Sequence, residues 1–131
     1  MIYISQSHID QLFEQARTSF PEECCGLFCG QNQHVSALYP SENVSTGDKT
    51  KTFEVDPQLR FDLIAQTGER NVLGLYHSHP GGMPYPSETD KAMVYEPDLI
   101  WIILTLDEIK AFRFVITKQD FEEIPIQVNL N

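Results

Sequence analysis

Two segments of the chain place apolar residues at the spacing of an amphipathic helix. The first covers residues 8–19 and has Ser7 as its expected N-cap. The second begins after Asp56, its expected cap, carries Pro57 in its first turn and ends near residues 68–70. The apolar faces are formed by Ile9, Leu12, Phe13 and Ala16 in the first helix and by Leu59, Leu63 and Ile64 in the second. Each helix therefore has one face that can pack against a sheet.

Shorter apolar runs predict strands. Residues 24–30 and 34–40 form two such runs, and the polar tripeptide QNQ between them indicates a β-hairpin. A third run, VLGLYHSH at 72–79, leads to a short helix that starts at Ser87 and is ended by Pro97 itself. Three closing strands are predicted from LIWIILTL, AFRFVIT and EEIPIQV. Helices thus alternate with a mostly buried sheet, which predicts an α/β fold built in layers.

Composition narrows the class of protein. The 131 residues suit one compact domain, 1–131, that is large enough to bury a sizeable core. The 41% hydrophobic and 21% charged residues are typical of a soluble globular chain. Nine Lys and Arg against nineteen Asp and Glu give a net charge of −10, which repels phosphate backbones and anionic lipids. We therefore expect neither nucleic acid nor a membrane as a partner.

Two further features predict a cytoplasmic protein. The N-terminal segment lacks the basic start and apolar run of a secretory signal, and no later run reaches the ~18 apolar residues of a membrane span. The three cysteines of CCGLFC do not make a disulfide framework and fit a reducing compartment. A metal or redox centre at Cys24, Cys25 and Cys29 is disfavoured, because on a strand Cys24 faces away from the other two.

Candidate chemistry begins with the stretch YHSHPGGMPYPSETD, residues 76–90. His77 and His79 are two positions apart on a predicted strand, so their side chains project to the same face. Two imidazoles about 7 Å apart at the backbone can converge on one cation. The alternative is a pair of polar side chains that only form hydrogen bonds.

Asp90 is the natural third ligand. It lies three residues after Ser87 near the start of the predicted short helix, so both side chains share one face of that helix. The same Ser-x-x-Asp spacing is also an ordinary helix-capping pattern. The glycines and prolines of PGGMPYP allow the sharp, restricted turn that a loop around a metal needs.

The ligand set of two imidazoles and one carboxylate favours zinc, one ion per chain, with one position kept for a bound water. The main competitor is the non-haem iron triad, which uses the same residue types but is expected on a different scaffold. Zinc lowers the pKa of bound water from ~15.7 to about 7, which suits hydrolysis.

Hydrolysis also needs a group that moves a proton, and Glu23 in PEECCGLFCG is the candidate. The alternative is that Glu22 and Glu23 form a solvated acidic pair. Their position in the sequence by itself favours this alternative, and the spacing of the motif does not exclude it. Ser87 is a second candidate, because its hydroxyl and nearby backbone N–H groups could stabilise an oxyanion. Its alternative role is that of a helix cap.

Taken together, Glu23 followed by CCGLF, then HSHP, then Ser87 and Asp90 resemble the JAMM or MPN-plus zinc metalloproteases, whose pattern is E…HxHPx(6)Sx(2)D. The resemblance covers nearly the whole chain. It implies a three-layer α/β/α domain with a mixed sheet, similar in architecture to zinc deaminases. It further implies zinc held by His77, His79 and Asp90, with Glu23 as general acid and base and Ser87 assisting the intermediate.

The family resemblance also implies a substrate class, namely bonds after the C-terminal glycines of ubiquitin-like proteins. The segments YHSHP, PSETD and FEVDP resemble the compact bacterial branch that acts on sulfur-carrier proteins ending in Gly-Gly and releases cysteine or a short extension. Two alternatives stay open: a deubiquitinase-like isopeptidase, and a non-catalytic MPN scaffold. The sequence does not choose between a monomer and a homodimer.

Overall fold

The computed structural model describes residues 1–68 and 71–130. Within these ranges the helices are α1 (Gln6–Ser19), α2 (Pro57–Thr67) and α3 (Glu88–Ala92), with a 3₁₀ turn at Ile116–Lys118. The strands are β1 (Ile2–Ser5), β2 (Cys25–Gln31), β3 (His34–Ser41), β4 (Val72–Ser78), β5 (Ile100–Leu104), β6 (Ile109–Val115), β7 (Asp120–Ile124) and β8 (Ile126–Asn129). None of the helices described combines the length and hydropathy that crossing a bilayer requires.

The strands form one mixed sheet in the order β7-β6-β5-β4-β2-β3-β1-β8. Strand β4, which carries the His-x-His sequence, is central: it pairs antiparallel with β2 and parallel with β5. Strands β7 and β8 are the two edge strands of the sheet, at opposite ends of this order, although only Pro125 separates them along the chain. The sheet must therefore curve until its two ends approach one another at Pro125.

Apolar residues cover both faces of this sheet. On one face, α1 buries Ile9, Leu12 and Ala16 against side chains such as Phe28 and Tyr76. On the other face, Leu63 of α2 lies in a cluster with Leu27, Cys29, Val72 and Leu99. Each fully buried aliphatic side chain contributes roughly 1.5–3 kcal/mol. The predicted three-layer α/β/α arrangement with a mixed sheet is thereby confirmed.

The predicted hairpin and the start of α2 are also confirmed. Strands β2 and β3 are joined by Asn32 and Gln33, both with positive φ, as a tight hairpin turn requires. Asp56 caps α2 by accepting a hydrogen bond from the Gln58 N–H (3.0 Å), with Pro57 in the first turn. The helix ends at Thr67, and residues 69–70 of the predicted end lie outside the described residues.

Three predicted boundaries are wrong. The N-cap of α1 is Ser5 rather than Ser7, because the unpredicted strand β1 leads directly into the helix and Ser5 Oγ accepts from the His8 N–H (3.1 Å). Helix α3 ends at Ala92, well before Pro97. The segment EEIPIQV does not form a single strand, because Pro125 has no N–H to donate to a ladder and divides it into β7 and β8.

Candidate active site

The two histidines of the site are placed by the end of β4. His77 lies in the strand, and His79 follows it with its N–H bonded to the Leu104 carbonyl of β5 (2.8 Å). Their side chains share one face, as predicted, and their Nε2 atoms are 3.0 Å apart. Because β4 is paired on both sides, the backbone holds this separation rigidly.

Asp90 completes a triangle with the histidines. Its Oδ2 atom lies 3.3 Å from His77 Nε2 and 3.1 Å from His79 Nε2. Ser87 and Asp90 also form a capping box: the Ser87 N–H donates to Asp90 Oδ2 (2.9 Å) and the Asp90 N–H donates to Ser87 Oγ (3.0 Å). The cap and the side-chain cluster therefore coexist, since the cap aims the carboxylate at the two imidazoles.

The dimensions of this triangle suit a zinc ion. Tetrahedral zinc with bonds of ~2.0–2.1 Å separates neighbouring ligand atoms by about 3.3–3.4 Å. The three separations here, 3.0, 3.1 and 3.3 Å, are close to that value. His79 Nδ1 donates to the Met83 carbonyl (2.8 Å), which leaves the Nε2 lone pair facing the triangle. The donor set thus fits the metal that the sequence predicts.

The charge states of His77 and Asp90 also suit metal binding. Burial lowers the pKa of His77 in spite of its contact with Asp90, which keeps the imidazole in the neutral form of a ligand. Burial alone would raise the pKa of Asp90, but hydrogen bonds with His77 and His79 hold it well below its usual range. Asp90 is therefore an anion within a buried site.

Aromatic rings enclose the inner side of the triangle. The His77 ring stacks on Phe53, with centroids 4.1 Å apart, and meets the edge of Trp101 at 5.5 Å. Phe53 belongs to the loop between β3 and α2, and Trp101 belongs to β5. These contacts fix the orientation of the His77 ring and keep water from that side. Neither residue was predicted from the sequence, since nothing in their spacing links them to the histidines.

Glu23 approaches the triangle from the segment that leads into β2. In the antiparallel pair of β2 and β4, Cys25 lies opposite His77, and the same register continued by two residues sets Glu23 opposite His79. Ligand atoms of Glu23, His77 and His79 all lie within 4.8 Å of one another. Glu23 is 4% exposed, whereas Glu22 is exposed, so the solvated-pair alternative does not hold for Glu23.

The surroundings of Glu23 suit a group that exchanges protons. Burial raises its pKa to about 7, with His79 opposing the shift and Asp90 adding to it. In the part of the chain that is described, Glu23 Oε1 is buried and has no hydrogen-bond partner. A carboxyl group with a pKa near neutrality can both accept and return a proton at physiological pH.

Neighbouring backbone and side chains anchor the segment around Glu23. Ser78, between the two histidines, points to the opposite face of β4, where its Oγ accepts a hydrogen bond from the Cys24 N–H (2.8 Å). The Asn43 side chain donates to the Glu23 carbonyl (3.2 Å). Sequence reasoning missed these two residues. Ser78 has a local signal, since it sits between the histidines, but Asn43 has none.

An open cleft of about 560 Å³ lies over the site. Glu23, His79 and Ser87 line it, while His77 and Asp90 are buried below. The remaining walls are formed by Phe20, Pro21, Thr50, Lys51, Pro80, Gly81 and Gly82. This cleft therefore gives a substrate a path to the triangle next to Glu23 and Ser87.

The cysteines do not form a competing centre. Cys24 packs in the cluster under α1, whereas Cys25 and Cys29 belong to clusters on the other face of the sheet. All three are free and buried, and burial raises the pKa of the Cys25 thiol to about 12. Their arrangement matches the predicted role as small buried side chains.

Comparison with known proteins identifies the family. Residues 5–115 match the family described as prokaryotic homologs of the JAB domain. The chain belongs to this JAB family. The predicted resemblance to JAMM-type proteins is thus confirmed, and the peptidase and desampylase relatives described next support a hydrolase of the metalloprotease type.

Three relatives show what this JAB domain is similar to. Tail tip assembly protein K of Escherichia phage N15 is 33% identical over 79% of the chain, which spans only 40% of that protein. A desampylase of Haloferax volcanii is 28% identical, with 82% of the chain and 79% of the relative covered. A CysO-cysteine peptidase of Mycobacterium tuberculosis is 22% identical, covering 88% and 84%.

Solved structures agree on the fold. A protein from Desulfitobacterium hafniense has a TM-score of 0.86 at 25% identity, covering 100% of this chain and 94% of the other. A JAB1/MPN domain protein from Archaeoglobus fulgidus has a TM-score of 0.65 at 20% identity, covering 98% and 97%. The second likeness shows the fold alone.

Proposed function

We propose that this JAB domain is a zinc-dependent peptidase that cleaves the bond after the C-terminal Gly-Gly of a ubiquitin-like sulfur-carrier protein. One observation carries the proposal. The buried carboxyl group of Glu23, with a pKa of about 7, lies beside the triangle of His77, His79 and Asp90, and an open cleft gives access to it. A metal site that only stabilised the fold would not need an adjacent proton-exchanging group or access to solvent.

Each residue of the site has a role in this proposal. His77, His79 and Asp90 hold one zinc ion per chain, and a zinc ion supplies an activated water and polarises the scissile carbonyl. Glu23 takes a proton from the attacking water on its carboxylate and returns it to the leaving amine.

Ser87 assists the developing oxyanion in this proposal. Its Oγ atom accepts a hydrogen bond from the Asp90 N–H, so its own hydroxyl hydrogen is left to donate into the cleft. We expect Ser87→Ala to lower kcat by ~10²-fold, because one oxyanion donor contributes about 3 kcal/mol. Thermal unfolding should show an additional loss of about 1 kcal/mol from the missing cap. A variant with normal kcat and reduced stability would leave Ser87 with the capping role alone.

The proposed substrate class rests on the shape of the cleft over the triangle and on the similarity to named relatives. Catalysis requires the scissile carbonyl to approach His79, Glu23 and Ser87, next to the loop that holds Gly81 and Gly82. A Gly-Gly tail passes such a path without side chains that collide, and its extended backbone can pair with an exposed strand edge. The similarity to a CysO-cysteine peptidase and to desampylases supports small carrier proteins as partners.

The substrate assignment is tested with a carrier protein that ends in Gly-Gly and is extended by cysteine or a short peptide. Mass spectrometry before and after incubation should show cleavage immediately after Gly-Gly. Lysine-linked diubiquitin is the comparison substrate, and a folded protein without the tail is the control that should remain intact. Rapid cleavage of diubiquitin with an untouched carrier adduct would move the assignment to deubiquitination while leaving the zinc chemistry in place.

A second candidate is a non-catalytic assembly module. The observation that favours it is the 33% identity with a phage tail tip assembly protein, of which the chain spans 40%. In that case the purified protein would bind its partner but leave every Gly-Gly adduct uncut. The complete set of His77, His79, Asp90, Glu23 and Ser87 in one cleft favours the peptidase.

A further inference from the structure

The Asn43 side chain, in the loop between β3 and α2, uses all of its hydrogen-bonding capacity, on three residues of this loop and on Glu23. Its Nδ2 atom donates to the carbonyl oxygens of Glu23 (3.2 Å) and Thr52 (3.0 Å). Its Oδ1 atom accepts from the backbone N–H groups of Ser45 (3.1 Å) and Glu54 (3.1 Å). Because carbonyls only accept and backbone N–H groups only donate, these four partners determine the orientation of the amide.

The same loop also accepts a hydrogen bond from the backbone N–H of Glu23. The Glu23 N–H donates to the Lys49 carbonyl (2.8 Å). Both backbone polar groups of Glu23 therefore form hydrogen bonds with residues of this loop. Glu23 lies between α1 and β2, outside the regular ladder. Its Oε1 atom is buried and has no hydrogen-bond partner within the described ranges. The position of the carboxyl group therefore depends on the backbone that the loop holds.

We propose that Asn43 is a positioning residue that holds the Glu23 carboxyl group in place to move a proton. This inference rests on the proposed peptidase function. Asn43 is not among the residues that line the cleft over the triangle, and its direct hydrogen bond to the site is the one to the Glu23 carbonyl. A displacement of about 1 Å at a reacting group can lower a rate by ~10²-fold. The loss should therefore appear in kcat, with substrate and zinc binding preserved.

The test compares Asn43→Ala with Ser45→Ala in the full chain. Ser45 bonds within the same loop, to Thr52 and Gly47, but not to Glu23, which makes it a matched control. For Asn43→Ala we expect kcat on the carrier adduct to fall about 10- to 100-fold, with KM changed less than about threefold and zinc content unchanged. Ser45→Ala should keep kcat within about threefold of the parent protein.

Two further variants make the test decisive. Asn43→Asp keeps oxygen acceptors for Ser45 and Glu54 but loses the donors, so its kcat should also fall, and it replaces Asn43→Ala if that protein does not fold. In a Glu23→Gln background, Asn43→Ala should lower kcat by less than about threefold, because two residues that act as a unit are not additive. Equal losses in both backgrounds, or a normal kcat in the folded Asn43 variants, would overturn the role of Asn43. Failure of the parent protein to cleave the carrier adduct would instead overturn the proposed function.

Discussion

Replacing His79 with Ala should remove zinc from the protein and abolish hydrolysis. The purified parent protein is expected to hold about one zinc ion per chain, and the variant far less, because tetrahedral sites lose their affinity when one of three protein ligands is removed. His79 is preferable to the fully buried His77, since its side chain is partly exposed and its loss disturbs the core less. Elemental analysis and the carrier-cleavage assay measure the two effects. Asp90→Asn should behave in the same way.

A control and a stability measurement sharpen this prediction. His34→Ala changes an exposed histidine that lies on β3, so its zinc content should stay normal. A ligand bound at 100 times its Kd stabilises the folded state by about 2.7 kcal/mol, so a chelator should lower the Tm of the parent protein. The same chelator should leave the Tm of His79→Ala unchanged. Normal zinc content in His79→Ala would contradict the proposed ligand set.

Glu23→Gln should separate catalysis from metal binding. Glutamine keeps the size of the side chain but cannot accept a proton, so zinc should stay bound while kcat falls by ~10²-fold or more. Burial and the raised pKa of Glu23 are the physical reasons for this expectation, since an exposed carboxylate with an ordinary pKa would be a poor acid at pH 7. Steady-state kinetics on the carrier adduct and elemental analysis give the two readouts.

The neighbouring residue provides the matched control for that variant. Glu22→Gln removes the same charge at an exposed position one residue away, and kcat should remain within about threefold of the parent value. If both variants lost activity equally, the effect would come from the charge of the segment. A Glu23→Gln protein with normal turnover would assign the proton transfer to another residue.

Two of the errors in the predicted fold have physical causes that local sequence patterns do not show. Pro125 interrupts an apolar run, and local patterns do not specify that the two halves pair with strands at opposite ends of the sheet. Strand β1 has four residues, too few for a period to stand out beside the stronger helical pattern that follows it. The long helix α1 and the β2–β3 hairpin were predictable because their signals lie within one segment.

The sequence by itself determined the parts of the site that are close along the chain. His77 and His79 share a face because strand side chains alternate, and Ser87 and Asp90 meet because they are three residues apart at a helix start. Only the tertiary structure decided the placement of Glu23, which precedes His77 by 54 residues and reaches the site through the register of β2 with β4. The tertiary structure also decided the burial of Glu23, because the exposure of a carboxyl group depends on which residues pack over that group. Sequence spacing predicts only which residues are neighbours along one strand or helix. The raised pKa of Glu23 and the hydrogen bond from Asn43 to its carbonyl arise from contacts between segments that are distant along the chain.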